Sequence, residues 1–378
     1  MQVIEEGLLS LCMIVKNEEK WLPRCLESVK GVVDEIIIVD TGSTDRTKEI
    51  AQEYGAAVHD FEWNDSFADA RNYGLEQARG EWILWLDADE EVDAEGREHL
   101  RDVLSQQECF FGRIKVVNYY GTFPVSYDRS HIMNQYRLFR NDPQLRFAGA
   151  IHEQLDVEAL DLPRNSVFVL PVTLHHYGYL EETVAEKGKK ERNLRLLEKA
   201  LEAENHDPWL DYHYASELYR SEKLAEAFER VNVSIASFLK SRRKPPSLFY
   251  KLKYSILMAL GSYEGGWPGI ELAIKLYPDY VDLHFYKGVI LMSMQKFTEA
   301  IEAFEYCLTL DEDHPSYLTM VGTGSFLTWY YIGSCYELME NLPKAEQAYR
   351  KSLELSDTME QAREALQKLG VSESAPEN

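Results

Sequence analysis

Two aspartates one residue apart, Asp87 and Asp89, followed at once by Glu90, close the apolar run Trp82-Ile83-Leu84-Trp85-Leu86. Carboxylate oxygens packed this densely suit a hard divalent ion such as Mg²⁺ or Mn²⁺. Such an ion bridges protein and diphosphate oxygens and neutralises charge on a leaving phosphate. Five large apolar residues in a row fit a strand buried on both faces of a parallel sheet, and ligands of open α/β sheets bind just past the carboxyl ends of such strands. The plainer reading of the triplet is a helix start with acidic first-turn residues, and 64 acidic residues in 378 produce Asp-x-Asp by chance.

Two further junctions of apolar run and polar turn point into the same crevice. Residues 8–15 read as a first strand, followed by Lys16-Asn17-Glu18-Glu19 opening a helix through Trp21, Leu22, Cys25, Leu26 and Val29. Residues 35–39 read as a second strand ending in Asp40-Thr41-Gly42-Ser43-Thr44-Asp45. Gly42 permits a tight turn, and Ser43 or Thr44 is expected to cap a helix from Arg46 to Tyr54 whose first amides face a ligand. Asp40 would point from a strand end into the crevice. The helical segment 66–78 carries Arg71, whose guanidinium can bind phosphate bidentately, pair with Asp40, or be a solvated helix-face arginine.

Taken in order, Cys12-Met13-Ile14-Val15-Lys16-Asn17-Glu18-Glu19, Val39-Asp40-Thr41-Gly42-Ser43-Thr44-Asp45, Ala70-Arg71-Asn72 and Leu86-Asp87-Ala88-Asp89-Glu90 resemble the nucleotide-sugar half of a family 2 inverting glycosyltransferase. The resemblance implies an α/β GT-A (Rossmann-like) fold, a nucleotide-diphosphate sugar donor with UDP the expected nucleotide, and Mn²⁺ or Mg²⁺. Transfer of a hexosyl or N-acetylhexosaminyl group is the expected reaction. By the same resemblance Asp40 and Arg71 contact the nucleotide base, and Ile14 and Val15 line its pocket beside Asn17, Glu18 and Ser43. Asp87 and Ala88 face the nucleoside, and Asp89 meets the metal. Many relatives carry two consecutive acids where this chain has Val39-Asp40.

Residues 110–179 alternate strands with polar loops and are expected to form the acceptor half. Inversion at an anomeric carbon needs a base to take the acceptor proton. Glu153 matches where such transferases keep their acidic residue, with His152 the adjacent alternative. A histidine after the acceptor region completes the metal shell in several GT-A enzymes. His176 is the expected ligand and His175 the alternative, because neighbouring strand residues face opposite ways.

The rest of the chain is periodic. From Val281, the positions Gly288, Leu291, Phe297, Ala300, Phe304 and Leu308 match a tetratricopeptide helix pair. The offsets recur from Phe326 and, more degenerately, near Ser247 and Pro208, so four repeats are expected with their aromatic stripe mostly in the core. The expected organisation is a transferase domain over 1–180, a connecting helix over 181–206, an all-α repeat solenoid over 207–366 and a loose tail over 367–378. This combination is similar to sublancin-type peptide S-glycosyltransferases and bacterial protein glycosyltransferases. It implies a peptide or protein acceptor recognised with help from the repeats, and a homodimer through them is compatible.

Composition narrows the partners. A formal charge of −24 argues against phosphate-backbone binding. No run approaches eighteen uninterrupted apolar residues and Met1-Gln2-Val3-Ile4-Glu5-Glu6 does not read as a signal peptide, so a cytoplasmic protein is expected. The five cysteines lack metal-ligand spacing and are expected to be buried free thiols. Three other readings stay open. One is transfer to a cell-surface or lipopolysaccharide glycan. Another is a sugar nucleotidyltransferase, against which Lys16-Asn17-Glu18-Glu19 lacks a glycine-rich, basic first turn. The last is a non-catalytic repeat scaffold.

Overall fold

The computed structural model describes residues 5–106, 108–149, 151–156, 166–186, 189–202 and 206–370. Residues 187–188 and 203–205 of the expected connecting helix, and 371–378 of the expected tail, lie outside them. The chain divides into two compact units, residues 1–125 with 134–202, and residues 126–133 with 203–378.

The first unit follows the order β1 (Glu5–Val15), α1 (Leu22–Ser28), β2 (Glu35–Asp40), α2 (Thr47–Glu53), β3 (Ala57–Asp60), α3 (Phe67–Gln77), β4 (Gly80–Trp85), β5 (Glu90–Val92) and β6 (Phe111–Tyr119). It continues through β7 (Ser130–Arg140), of which residues 134–140 lie in this unit, then β8 (Phe147–Ala148), β9 (Gln154–Leu155), β10 (Val167–His176), α4 (Glu181–Glu186) and α5 (Lys189–Leu201). The main sheet runs β3-β2-β1-β4-β7-β6-β10-β5. The pairs β1–β2, β2–β3, β1–β4 and β6–β10 are parallel, whereas β4–β7 and β5–β10 are antiparallel.

The apolar runs explain the central strands. Leu11, Cys12, Met13, Ile37, Ile38, Val39, Ile83 and Leu84 are all buried, so neighbouring residues on both faces of β1, β2 and β4 meet protein rather than water. Val15 pairs with Asp40 and Cys12 with Trp85, which sets the carboxyl ends of these strands side by side. The acid triplet therefore follows β4 at the sheet edge where ligands collect. Helix α3 starts where Ser66 Oγ accepts the Asp69 amide at 3.2 Å and buries Ala68, Ala70, Gly74 and Leu75.

Some local expectations differ from the structure. Neither Ser43 nor Thr44 caps α2. Asp45 Oδ1 accepts the Thr47 amide at 3.0 Å, while Ser43 Oγ accepts the Asn17 amide at 2.9 Å and the Thr44 amide donates to Asn17 Oδ1 at 2.8 Å. The two polar turns satisfy each other, which removes Ser43 and Thr44 from the helix start. Cys12, Cys25, Cys307 and Cys335 are buried, but Cys109 is half-buried in a loop.

The second unit is helical: α6 (Pro208–Arg220), α7 (Leu224–Lys240), α8 (Ser247–Ala259), α9 (Gly269–Leu276), α10 (Val281–Ser293), α11 (Phe297–Cys307), α12 (Phe326–Leu338), α13 (Leu342–Leu355) and α14 (Glu360–Lys368), with a short β11 (Thr319–Met320) before α12. Among the described residues these make four helix pairs and a closing helix. A Cβ at Gly333 would stand 2.6 Å from the Tyr349 ring, so the glycine lets α12 and α13 approach closely. Phe249, Tyr280, Phe285, Phe304 and Tyr349 are all buried, so these aromatics are core. Residues 126–133 join this unit through β11, where Thr319 pairs with Ile132 and Met320 with His131, and through Asp128, which accepts hydrogen bonds from Ser356 and Thr358. The 308–325 insertion is pinned by Asp282, which is paired with Lys251 and accepts Thr323 Oγ1 at 2.8 Å.

Candidate active site

The strand ends bring most of the singled-out residues to one side of the first unit. At the end of β1, Val15 is buried and its carbonyl accepts the Thr41 amide at 3.0 Å, while Ile14 is partly buried. Asn17 adopts a left-handed backbone with φ +54°, which suits asparagine and turns its side chain back to the 43–44 loop. The Glu18 amide donates to Thr47 Oγ1 at 2.7 Å. Asp40 is buried. Its Oδ1 accepts the Gly42 and Ser43 amides at 3.0 and 2.9 Å, a turn that Gly42 closes at φ +100°. Asp40 Oδ2 is buried with no hydrogen-bond partner among the described residues, an acceptor that a ligand N–H can satisfy.

Arg71 does not pair with Asp40. Its Nη2 lies 3.3 Å from Asp87 Oδ1 and its Nε donates to Glu153, while the guanidinium lies over the Trp85 ring with its carbon 4.3 Å from the ring centre. Antiparallel pairing of β7 with β4, with Leu84 opposite Leu138, brings in a second cation, Arg137. Its Nη2 is paired with Glu90 and lies 3.7 Å from Asp87 Oδ2. Burial acts to raise the Asp87 carboxyl, but Arg71 and Arg137 outweigh it and hold Asp87 below the usual carboxylate range. Burial lowers the Arg137 guanidinium, and Glu90 and Asp87 more than reverse this, so it stays charged.

Glu153 sits between β8 and β9, next to His152, whose backbone has φ +52°. Asn72, one residue past Arg71, anchors this loop: its Nδ2 donates to the Phe147 carbonyl at 2.9 Å and its Oδ1 accepts the Phe147 amide at 2.8 Å. The Glu153 carboxylate is thereby held against the Arg71 guanidinium.

Asp89 is buried and reaches β10. Its carboxylate lies 3.5 Å from His176 Nε2. His176 Nδ1 is 2.8 Å from Asn118 Oδ1, and an amide oxygen only accepts, so Nδ1 carries the hydrogen. In the neutral ring, Nε2 then presents its lone pair to the Asp89 carboxylate. Two lone-pair donors facing each other, with an outer partner fixing the imidazole, are an arrangement in which a cation can be held. Gly178 keeps the space open: a Cβ there would lie 2.8 Å from Asp89 Oδ2 and collide with His176 Nε2. Strand alternation sends His175 the other way, to Tyr119 Oη at 2.9 Å and a separate cleft of about 650 Å³ lined also by Arg24, Glu91 and Tyr177. Among the described residues no group of three or more His, Cys, Asp or Glu side chains converges as a metal cage. A Mg²⁺ or Mn²⁺ held through substrate phosphates needs only one or two protein ligands, so Asp89 and His176 fit that demand.

Ile14, Val15, Asn17, Glu18, Asp40 and Ser43 thus form one cluster, and Arg71, Asp87, Glu153 and Glu90 a second. Asp89 and His176 form a third, Ala88 being buried between the latter two in sequence. Sequence reasoning assigned no role to Arg137, Asn118, Asn72 or Gly178. The signal for Arg137 was a charged residue entering the apolar Leu138-Phe139 of a strand.

Comparison with known proteins identifies the domains of the chain. The model for glycosyl transferase family 2 matches residues 10–156, and that for the tetratricopeptide repeat matches 281–314 and 328–359. A TPR repeat-containing protein of Synechococcus elongatus is 37% identical over 66% of this chain and 61% of its own length. The SPbeta prophage-derived glycosyltransferase SunS of Bacillus subtilis is 30% identical over 74% of this chain and 66% of its own. An uncharacterized glycosyltransferase of Rickettsia bellii is 34% identical over 26% of this chain and 33% of its own. This chain thus spans under two thirds of the length of each. No helix among the described residues is long and apolar enough to cross a membrane. Residues 10–156 form a glycosyl transferase family 2 domain in a GT-A fold, and tetratricopeptide repeats follow it.

Proposed function

We propose that the chain is a cytoplasmic, metal-dependent inverting glycosyltransferase that moves a hexosyl or N-acetylhexosaminyl group from a UDP-sugar to a peptide or protein nucleophile. The observation that carries this reading is the Asp89–His176 pair beside an arginine-held Asp87, on a family 2 domain. A bound Mn²⁺ or Mg²⁺ would supply charge neutralisation on the departing diphosphate. The chain's residues do the rest. Asp40 Oδ2 accepts a base N–H, such as the imide N–H of uracil, and Arg71 orients Asp87 toward the nucleoside. Glu153 takes the proton of the acceptor as its nucleophile bonds to the anomeric carbon, while the bond from that carbon to the diphosphate breaks on the opposite side. The peptide acceptor is supported by repeats of a type that commonly binds polypeptides in grooves.

Calorimetric titration of the full chain with UDP, GDP and dTDP and their sugars, with and without Mn²⁺, tests the donor. The expected result is UDP binding that requires Mn²⁺. Binding of another nucleotide reassigns the donor, and no binding across the panel removes the reading. With the donor known, mass spectrometry of peptides against lipid-linked and surface glycans decides the acceptor class.

Gly178→Ala is a local probe of the cation pair. The added methyl group displaces His176 or Asp89, so Mn²⁺-dependent UDP affinity is expected to fall about tenfold or more while the fold is kept. Unchanged affinity with an unchanged Tm would place the cation elsewhere.

A further inference from the structure

We infer that Arg137 is a positioning residue that decides which carboxylate of the acid motif is left for the cation, an inference that rests on reading Asp89 and His176 as the cation site. The motif offers Asp87, Asp89 and Glu90 within four residues, and nothing in its sequence makes one a ligand and the others not. Arg137 supplies the difference. Its Nη2 holds Glu90 Oε1 and lies 3.7 Å from Asp87 Oδ2. The second Glu90 oxygen accepts the Asp87 amide at 2.9 Å, and the second Asp87 oxygen faces Arg71 Nη2 at 3.3 Å. Two carboxylates are thereby drawn toward guanidinium groups, while Asp89, in the same tight turn, faces His176. The Arg137 side chain is only 13% exposed, so both attractions act in a poorly screened setting, and its Nε has no hydrogen-bond partner among the described residues. Both contacts fall on one nitrogen, Nη2, of a planar guanidinium whose position and shape an ammonium group would not reproduce.

This role has a signature that loss of packing does not. Arg137→Met removes a positive charge beside the cation pair and releases Asp87 and Glu90, so Mn²⁺ alone should bind about tenfold tighter. UDP in the presence of Mn²⁺ should bind about tenfold or more weaker, because Asp87 leaves its held position and a cation is lost near the diphosphate. Arg137→Lys keeps the charge but not the planar guanidinium. It should leave Mn²⁺ affinity within about twofold of the parent and still weaken UDP. Calorimetry with Mn²⁺ alone and then with UDP, on full-length variants whose Tm shows that they fold, reads both constants. Opposite shifts in Arg137→Met are the expected result. Both constants weakening together, or neither moving, overturns the inference even when the parent protein binds Mn²⁺ and UDP as proposed. A parent that binds neither overturns the cation-site reading itself, and the inference with it.

Discussion

Asp89→Ala is expected to abolish Mn²⁺-dependent UDP binding and lower donor turnover by about 10³-fold. The Asp89 carboxylate lies 3.5 Å from His176 Nε2, whereas Asp87 and Glu90 are paired with arginines. Its removal leaves His176 as a single neutral ligand, which cannot hold a hard cation against water. A bound cation stabilises developing diphosphate charge by several kcal/mol, and each 1.36 kcal/mol is a factor of ten in rate, which sets the size of the loss. The control is Asp87→Asn. It keeps the Asp89–His176 pair and should retain Mn²⁺ binding while weakening UDP, because Asp87 is engaged by Arg71 and Arg137. Calorimetry with Mn²⁺ and UDP, followed by UDP release from the selected donor, separates the two. Mn²⁺-dependent binding that survives Asp89→Ala and disappears in Asp87→Asn would reverse the roles of the two aspartates.

How far the site was legible in the sequence depends on whether a residue's neighbours are local. The apolar runs of β1, β2 and β4 and the polar residues just after them are contiguous, so their type and spacing announce both strand and crevice. Strand alternation guaranteed that only one of His175 and His176 could face Asp89, but which one depended on pairing of β10 with β6, where Asn118 lies opposite His176. Arg137 was hidden for the same reason, since its partners Asp87 and Glu90 follow β4, a strand distant in sequence that pairs antiparallel with β7. Arg71 shows the opposite error. Charge complementarity suggested Asp40, but the Asp40 oxygen nearest the turn is taken by two amides, and the β8–β9 loop brings Glu153 to the guanidinium instead. In the repeats, the glycine and aromatic offsets made the helix pairs readable. The attachment of residues 126–133 to them rests on a two-residue strand and a few side-chain hydrogen bonds, which leave no periodic trace.

Glu153→Gln is expected to keep Mn²⁺-dependent UDP binding within about twofold and to lower transfer to the acceptor by about 10²- to 10⁴-fold, the range for loss of a general base. The amide is the right replacement because Glu153 is buried against Arg71. Truncation to alanine would strand a buried guanidinium at a cost of roughly 3–5 kcal/mol and confuse loss of chemistry with loss of structure. A glutamine oxygen can still accept from Arg71 Nε, so the loop held by Asn72 keeps its place and the donor site keeps its Arg71–Asp87 contact. What the amide cannot do is take a proton. A further discriminator is the donor's slow hydrolysis by water in the absence of acceptor, which runs through the same leaving group and should fall less than transfer. The ion pair also makes a specific alternative testable. If Glu153 serves only to hold Arg71, transfer and UDP affinity will fall together and by similar factors, and Arg71→Lys will reproduce the pattern. A large loss of transfer at unchanged UDP affinity assigns the proton to Glu153. Loss of both in step leaves Glu153 as the partner of Arg71 and removes it as the base.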